Sequence, residues 1–188
     1  MKNLKSIALA LVVLLSTVAA TAQTKNINTT TSNIEWVGKK VTGQHNGTVK
    51  FKDGALVFKG KKLKGGIFTV DMPSLTATDL SGEYQAKLNG HLKADDFFGT
   101  DNYPTAKLVF KKIGTRTANV YTVTADLTIK GITKPVTFVM TVKGNTATTA
   151  FNVDRTKYGI KYNSKSFFES IGDKAIYDDF ELKVNLKF

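Results

Sequence analysis

Val120 to Lys143, VYTVTADLTIKGITKPVTFVMTVK, constrains this chain more than any other stretch. In its first half Tyr121, Val123, Ala125, Leu127 and Ile129 alternate with Thr122, Thr124, Asp126 and Thr128. In its second half Val136, Phe138, Met140 and Val142 alternate with Thr137, Thr141 and Lys143, and only Val139 interrupts the polar side. A period of two built from β-branched and aromatic residues is the pattern of strands with one apolar face; a helix would scatter the same residues round its axis. Lys130 to Pro135 lies between the halves, and its Gly131 and Pro135 predict a turn there. The result is a long hairpin that cannot bury its own apolar face, so the rest of the chain has to supply partners.

The remaining segments supply them. Ser32–Val41, with Trp36 in it, reads as a first strand, followed by a turn or bulge at Gly43–Gly47 and a resumed strand at Thr48–Phe51. Asp53-Gly54 reads as a tight turn before Ala55–Lys59, and Lys61–Gly66 as a basic turn before Ile67–Met72, stopped by Pro73. Leu80, Tyr84, Leu88 and Leu92 then recur every four residues, predicting one helix with Asp79 or Ser81 as its cap and Asn89-Gly90 near its end. Strands return at Lys107–Ile113, Thr146–Asp154 and Asp179–Phe188, the last two separated by a Gly-, Ser- and aromatic-rich loop, Arg155–Ala175. The class is all-β with a small helical insertion, a sandwich or a closed barrel. A long, regular final strand sits most easily in a barrel, which has no free edge. With eight strands such a barrel is wide enough to hold one small ligand or to be filled by its own side chains.

The first residues read as an address. A basic start with Lys2 and Lys5, an apolar run to Val18 and the small-x-small tripeptide Ala20-Thr21-Ala22 predict a cleaved signal peptide, residues 1–22, and one mature domain, residues 23–188. Losing Lys2 and Lys5 lowers the net charge from +12 to +10. Export argues against a nucleic-acid partner. Lysines scattered along strand-like segments suit a solvated exterior, with transient contact to an anionic membrane surface as the functional alternative. A periplasmic location is expected, with secretion as second choice.

Reactive chemistry is sparse. The chain has no cysteine, hence neither thiol catalysis nor disulfides, and its 2 histidines, His45 and His91, show no metal-ligand spacing. His91 and Asp95 are one helical turn apart, which is two ligands and not a metal site. No Gly-x-Ser-x-Gly occurs, and the glycines between Gly54 and Gly60 do not form a phosphate loop. The chain is therefore read as a non-enzyme, with no cofactor and no metal.

An ordered series of motifs runs from Ser32 to Phe188. It comprises Trp36-Val37-Gly38, His45-x-Gly47, Gly66-x-Phe68-Thr69-Val70-Asp71, His91-Leu92-Lys93-x-x-Asp96-Phe97-Phe98, Tyr103-Pro104-x-Ala106, Leu127 to Val136, and Arg155-x-x-Tyr158-Gly159-Ile160. In order and spacing this series resembles the YceI-like family of polyisoprenoid- and lipid-binding domains. The resemblance implies an antiparallel eight-stranded lipocalin-like β-barrel, exported, whose lumen takes a long lipid or isoprenoid chain. Trp36, Phe68, Phe110, Phe138 and Phe151 are then candidates for the lining, with Phe180 and Leu182 also pointing inward. Phe97-Phe98 and Phe167-Phe168 are candidate lids at the mouth or caps on the core. His45 and His91 are candidate polar contacts or structural histidines. Arg155, with Lys130, Lys134 and Tyr158, is a candidate for an anionic head group, or else a pin paired with Asp154 or Asp173. The expected ligand is an isoprenoid quinone, polyprenyl phosphate or fatty-acid derivative, buried for transport, storage or sequestration. The alternatives are a structural or interaction module of the cell envelope with a filled barrel, and an enzyme acting on a bound lipid. The oligomeric state is left open, a homodimer included.

Overall fold

A computed structural model describes residues 21–168 and 172–188. Apart from Thr21 and Ala22, the expected leader lies outside the described residues, as do residues 169–171 of the loop after the eighth strand. Nine strands form: β1 (Ala22–Asn26), β2 (Asn33–Lys40), β3 (Gly43–Lys59), β4 (Lys62–Ala77), β5 (Thr105–Thr117), β6 (Val120–Ile129), β7 (Ile132–Lys143), β8 (Thr146–Asp154) and β9 (Ile176–Lys187). A single α-helix, α1 (Gly82–Lys93), separates β4 from β5. From β2 to β9 every strand is antiparallel to its neighbours, and β3 pairs with both β2 and β4, so eight strands close into a barrel. The ninth, β1, lies on the edge of β3 that β2 uses: β2 takes Gly43–Val49 and β1 takes Ala55–Lys59.

The hairpin forms as its alternation requires. Val120 faces Thr141 and Ile129 faces Ile132, with Tyr121, Val123, Ala125, Leu127 and Ile129 all buried. Its turn is shorter than expected. Lys130 and Gly131, both at positive φ (50° and 73°), make the whole connection, and Ile132 to Pro135 already belong to β7. Such a two-residue turn matches the twist of the flanking strands. Pro135 is tolerated because β8 pairs with β7 only over Met140–Lys143, so the far side of β7 at Pro135 is not held in a ladder. Beyond Met140 the two strands part, and across that gap Phe138 and Phe151 stack at 4.7 Å between ring centroids.

Other punctuation marks in the sequence do not break the chain. Asp53-Gly54 lies inside β3, and Gly54 is there because a Cβ would come within 2.5 Å of the Phe68 ring. The true reversal is at Gly60-Lys61, between β3 and β4. Gly43 to Gly47 is strand, and Pro73 sits in a bulge of β4. There the Met72 amide donates to the carbonyl of Pro104 at 3.1 Å and the Lys50 amide to Ser74 Oγ at 2.8 Å. Helix α1 runs through Asn89-Gly90, and Tyr84 is 76% exposed, so the four-residue stripe is only half used. The face on the barrel is Gln85, Leu88, Asn89 and Leu92. Gln85 donates to the Ala77 carbonyl at 2.7 Å, while Asn89 accepts from the Ala77 amide at 2.7 Å and donates to Thr76 Oγ1 at 3.0 Å.

The lumen has two unlike halves. In one, Phe51, Phe68, Phe110, Phe138 and Phe151 form a continuous chain of rings with successive centroids 4.7 to 6.0 Å apart. Aromatic neighbours at that spacing are attractive beyond their area alone, and these rings pack this half of the lumen. The other half, beneath α1 and the segment that follows it, is hollow.

Candidate functional site

The hollow half holds a cavity of about 170 Å³ with an almost wholly apolar lining. Strand period places its walls. On β2, Ile34, Trp36 and Gly38 face inward in succession; on β9, Leu182 and Phe180 line it opposite Trp36 and Gly38 in register. Leu127 and Ile129 close it from β6, Val70, Met72 and Leu75 from β4. Leu88, His91 and Leu92 come down from α1, followed by Phe97 and Phe98. Gly38 is decisive for the shape. It is the inward position opposite Phe180, and a Cβ built on it would meet nothing within 4 Å. The missing side chain is a piece of the cavity.

Phe97 and Phe98 are folded into this wall. Phe97 is buried and meets Phe98 at 5.3 Å, and Phe98 stands edge-on to Phe180 at 6.1 Å. Lys130 fixes the segment from the neighbouring turn: its Nζ donates to the carbonyls of Asp95 at 2.7 Å and Phe97 at 2.9 Å. That ammonium is thereby committed to structure.

Polar groups at the cavity are few. His45 Nδ1 lies 2.8 Å from Asp79 Oδ2, and Asp79 Oδ1 accepts the Asn46 amide at 3.2 Å. Burial works against the Asp79 charge, but the bonds from His45 and Asn46 outweigh it and hold its carboxyl below the usual range. The carboxylate of Asp79 thus orients the His45 ring at the rim of the cavity. Arg155 lines the cavity but is turned to the backbone. Its Nε, Nη1 and Nη2 donate to the carbonyls of Tyr177 (3.1 Å), Ile160 (3.0 Å) and Ile176 (3.0 Å), with Asp178 Oδ1 at 3.6 Å from Nη2. Burial lowers its pKa, while Asp178 and Asp154 raise it. Arg155 is thus pinned to the backbone, with Asp178 the carboxylate in ion-pair range and Asp154 supporting its charge from further off.

The structure therefore gathers Trp36, His45, His91, Phe97, Phe98 and Arg155 round one cavity. It places Phe68, Phe110, Phe138 and Phe151 in the filled half. Tyr158 is buried outside the cavity, its hydroxyl pushed up to about 12 by burial and then by Asp154. Phe167 and Phe168, at 47% and 51% exposure, lie on the outside, with Lys161 Nζ 4.4 Å above the Phe167 ring. Gly38, Ile129, Leu88 and Tyr177 line the cavity and were not among the candidate ligand contacts read from the sequence. A glycine at the inward beat of a strand was the legible sign for Gly38, since a strand interior gains nothing from glycine unless space or close approach is needed.

Comparison with known proteins agrees with this architecture. The sequence profile of the YceI-like domain matches residues 26–188. A UPF0312 protein of Pseudomonas putida (strain W619) is 38% identical over 101 residues, 52% of this chain and 49% of that protein. A UPF0312 protein of Shewanella denitrificans is 32% identical over 85 residues, 45% of this chain and 42% of that protein. The chain thus aligns with about half the length of these curated relatives. Among solved structures, Burkholderia cenocepacia BcnA superposes with a TM-score of 0.68 at 23% identity, covering 85% of this chain and 98% of its own. A polyisoprenoid binding domain from Saccharophagus degradans, implicated in plant cell wall breakdown, superposes with a TM-score of 0.57 at 14% identity, covering 86% and 95%. At those identities the likeness is one of fold.

Proposed function

This chain belongs to the YceI-like domain family, and on that premise we propose that it is an exported binding protein for a long-chain lipid or isoprenoid. The apolar tail enters the hollow half of the barrel and is held there without any covalent step. The observation that carries this reading is the cavity itself: about 170 Å³ of apolar space kept open beside a core that is otherwise filled with rings. Removing apolar surface from water yields about 25 cal/mol per Å², so an alkyl or prenyl tail needs no strong polar contact to be retained. A solidly filled barrel would have suited a structural module of the envelope, and the open space beside Gly38 speaks against it.

Transport, storage and sequestration all use the same equilibrium burial, and the periplasm is the compartment this reading assigns, reached through the leader in residues 1–22. Exchange of ligand is proposed to take place in transient contact with an anionic membrane surface. The support for this is the exposed Phe167-Phe168 pair, preceded by Lys161 and Lys165, on a loop that meets the cavity wall where Tyr162 packs on His91 at 4.4 Å. Protein purified from its native host, extracted with organic solvent and analysed by mass spectrometry, is expected to release a stoichiometric long-chain amphiphile. Repeated extractions without one, together with failure to take up such a lipid added back, would refute the proposal.

A further inference from the structure

We infer that the closed end of the barrel, opposite the cavity, is a docking face for an anionic lipid bilayer, on which the protein rests with the mouth of its cavity turned away. Topology sets this face. In an up-and-down barrel the β3–β4, β5–β6 and β7–β8 turns, the start of β2 and the end of β9 all come to one end. Helix α1, the β6–β7 turn and the β8–β9 loop come to the other, where the cavity lies. The segments that build the first end, residues 21–34, 55–66, 114–122, 142–149 and 184–188, carry eight Lys and Arg and not one Asp or Glu. Cations that look scattered along the chain are collected there by the fold.

Most of them are exposed and unneutralised. Lys59, Lys61, Lys62 and Lys64 crowd the tip of the β3–β4 hairpin, all exposed. Arg116, Lys143 and Lys187 stand exposed on the neighbouring turns and strand end, with Lys143 and Lys187 on either side of Thr146 in one row. None of these seven forms an ion pair among the described residues. The eighth, Lys25, roofs the filled half, its Nζ 5.6 Å and 5.3 Å from the ring centroids of Phe58 and Phe188. Within the hairpin, Lys59 is the direct cross-strand partner of Lys62. Like charges opposite one another destabilise a strand pair, and a breach of that local rule is the mark of a surface with an outside partner.

The kind of partner follows from what this end lacks. None of the exposed large apolar side chains among the described residues lies in these segments; Tyr84, Tyr162, Phe167, Phe168 and Tyr177 all belong to the other end. Single-stranded nucleic acid is held on aromatic platforms, and none is presented here. What is presented is charge of one sign spread over separate turns. A plane of mobile anionic head groups meets such a pattern without any preformed pocket. At the mouth the charges are of both signs, with Asp79, Glu83, Asp95, Asp96 and Asp101 on α1 and the segments that flank it. An anionic bilayer therefore draws the closed end. The exchange contact proposed for Phe167-Phe168 lies at the opposite end, so a molecule resting on one bilayer offers its mouth to a second surface.

Co-sedimentation of the mature protein with vesicles of phosphatidylcholine, alone or with about 30 mol% phosphatidylglycerol, tests this. Binding is expected to the anionic vesicles alone at about 0.05 M salt, and to be lost at about 0.5 M, where screening shortens the reach of each charge. The triple variant Lys59→Gln, Lys61→Gln, Lys62→Gln removes three charges, each worth about fivefold near such a surface, and should bind about a hundredfold more weakly. Because Lys59 and Lys62 repel, it should melt at or above the wild-type midpoint. Phe167→Ser with Phe168→Ser should keep most of the binding. The chain has no cysteine, so orientation can be read from a single thiol-linked fluorophore. Attached through Ala118→Cys in the β5–β6 turn, it should be shielded from acrylamide on anionic vesicles; attached through Tyr84→Cys on α1, it should not. Equal binding to both kinds of vesicle, loss of binding with the phenylalanine pair and not with the lysine triple, shielding at Tyr84 and not at Ala118, or capture by heparin or duplex DNA in place of vesicles would each overturn the inference. None of these results would touch the lipid-binding reading of the cavity, which is tested by extraction.

Discussion

Gly38→Leu is the substitution that separates a working cavity from an incidental one. Gly38 faces inward on β2, opposite Phe180, and a Cβ there meets nothing within 4 Å. Its backbone is ordinary extended strand, so a leucine is accepted without strain and its four side-chain carbons project into the space a tail would occupy. If they displace an equal number of ligand methylenes, each worth about 0.8 kcal/mol, the lost affinity is about 3 kcal/mol, or roughly 200-fold. The fold should not suffer. Replacing glycine in a strand relieves about 0.5–1 kcal/mol of backbone entropy, and the new side chain buries apolar area of its own. The assay is paired: titration with a fluorescent polyene or an unlabelled long-chain alcohol, read through Trp36, alongside thermal unfolding followed by circular dichroism. The expected outcome is a midpoint equal to or above wild type with binding nearly abolished. A folded Gly38→Leu protein that binds within about threefold of wild type would show that the cavity is not where the tail goes.

Four further outcomes follow from the packing and electrostatics. Arg155→Met strips three carbonyls of their donor and leaves Asp178 without its cation, so unfolding is expected about 3–5 kcal/mol easier and the midpoint lower by on the order of 10 °C in a thermal melt; a change under about 2 °C would contradict the pin. Gly47→Ala puts a Cβ 1.9 Å from the Thr76 carbonyl oxygen and 2.6 Å from the Trp36 ring. It should lose about 3 kcal/mol or more in urea denaturation, in contrast to Gly38. The Tyr158 hydroxyl rises from an unfolded value of 10.0 to about 12 in the folded protein. Its contribution is therefore complete below pH 10 and is lost as pH climbs towards 12, by about 2–3 kcal/mol at most, and Tyr158→Phe should flatten stability across that window. Asp79, held below 3.8, contributes stability above that value which disappears as pH falls through its lower folded pKa, so Asp79→Asn should reduce the acid-side slope of unfolding.

Much of the fold could be read from the residues because the barrel is written in period two. The hairpin β6–β7 and the strand β8 appear where alternation placed them; strand number and regularity narrowed the class to a sandwich or a barrel, and the motif series that resembles the YceI-like family pointed to the barrel. What misled was punctuation. Asp53-Gly54 and Pro73 look like stops, yet Gly54 makes room for Phe68 and Pro73 occupies a bulge, requirements set by residues distant in sequence. The four-residue stripe of α1 marked a helix correctly but not its buried face, because Gln85 and Asn89 hold it to the barrel by polar bonds that hydrophobic spacing cannot reveal. At the site, aromatic count pointed to the lumen without telling its halves apart. Which phenylalanines fill and which surround space depends on strand register and on a glycine, and neither is a property of composition.

The parting of β7 from β8 beyond Met140 has a mechanical consequence. Elsewhere round the circumference the staves are stitched by main-chain hydrogen bonds, and prising two of them apart would sacrifice several at once. Along Ile132–Val139 the join is made instead by stacked Phe138 and Phe151 and by Thr149 Oγ1 donating to the Val139 carbonyl at 2.8 Å. A change in the girth of the tube would therefore begin there, by sliding one ring over another and with no main-chain ladder bond surrendered.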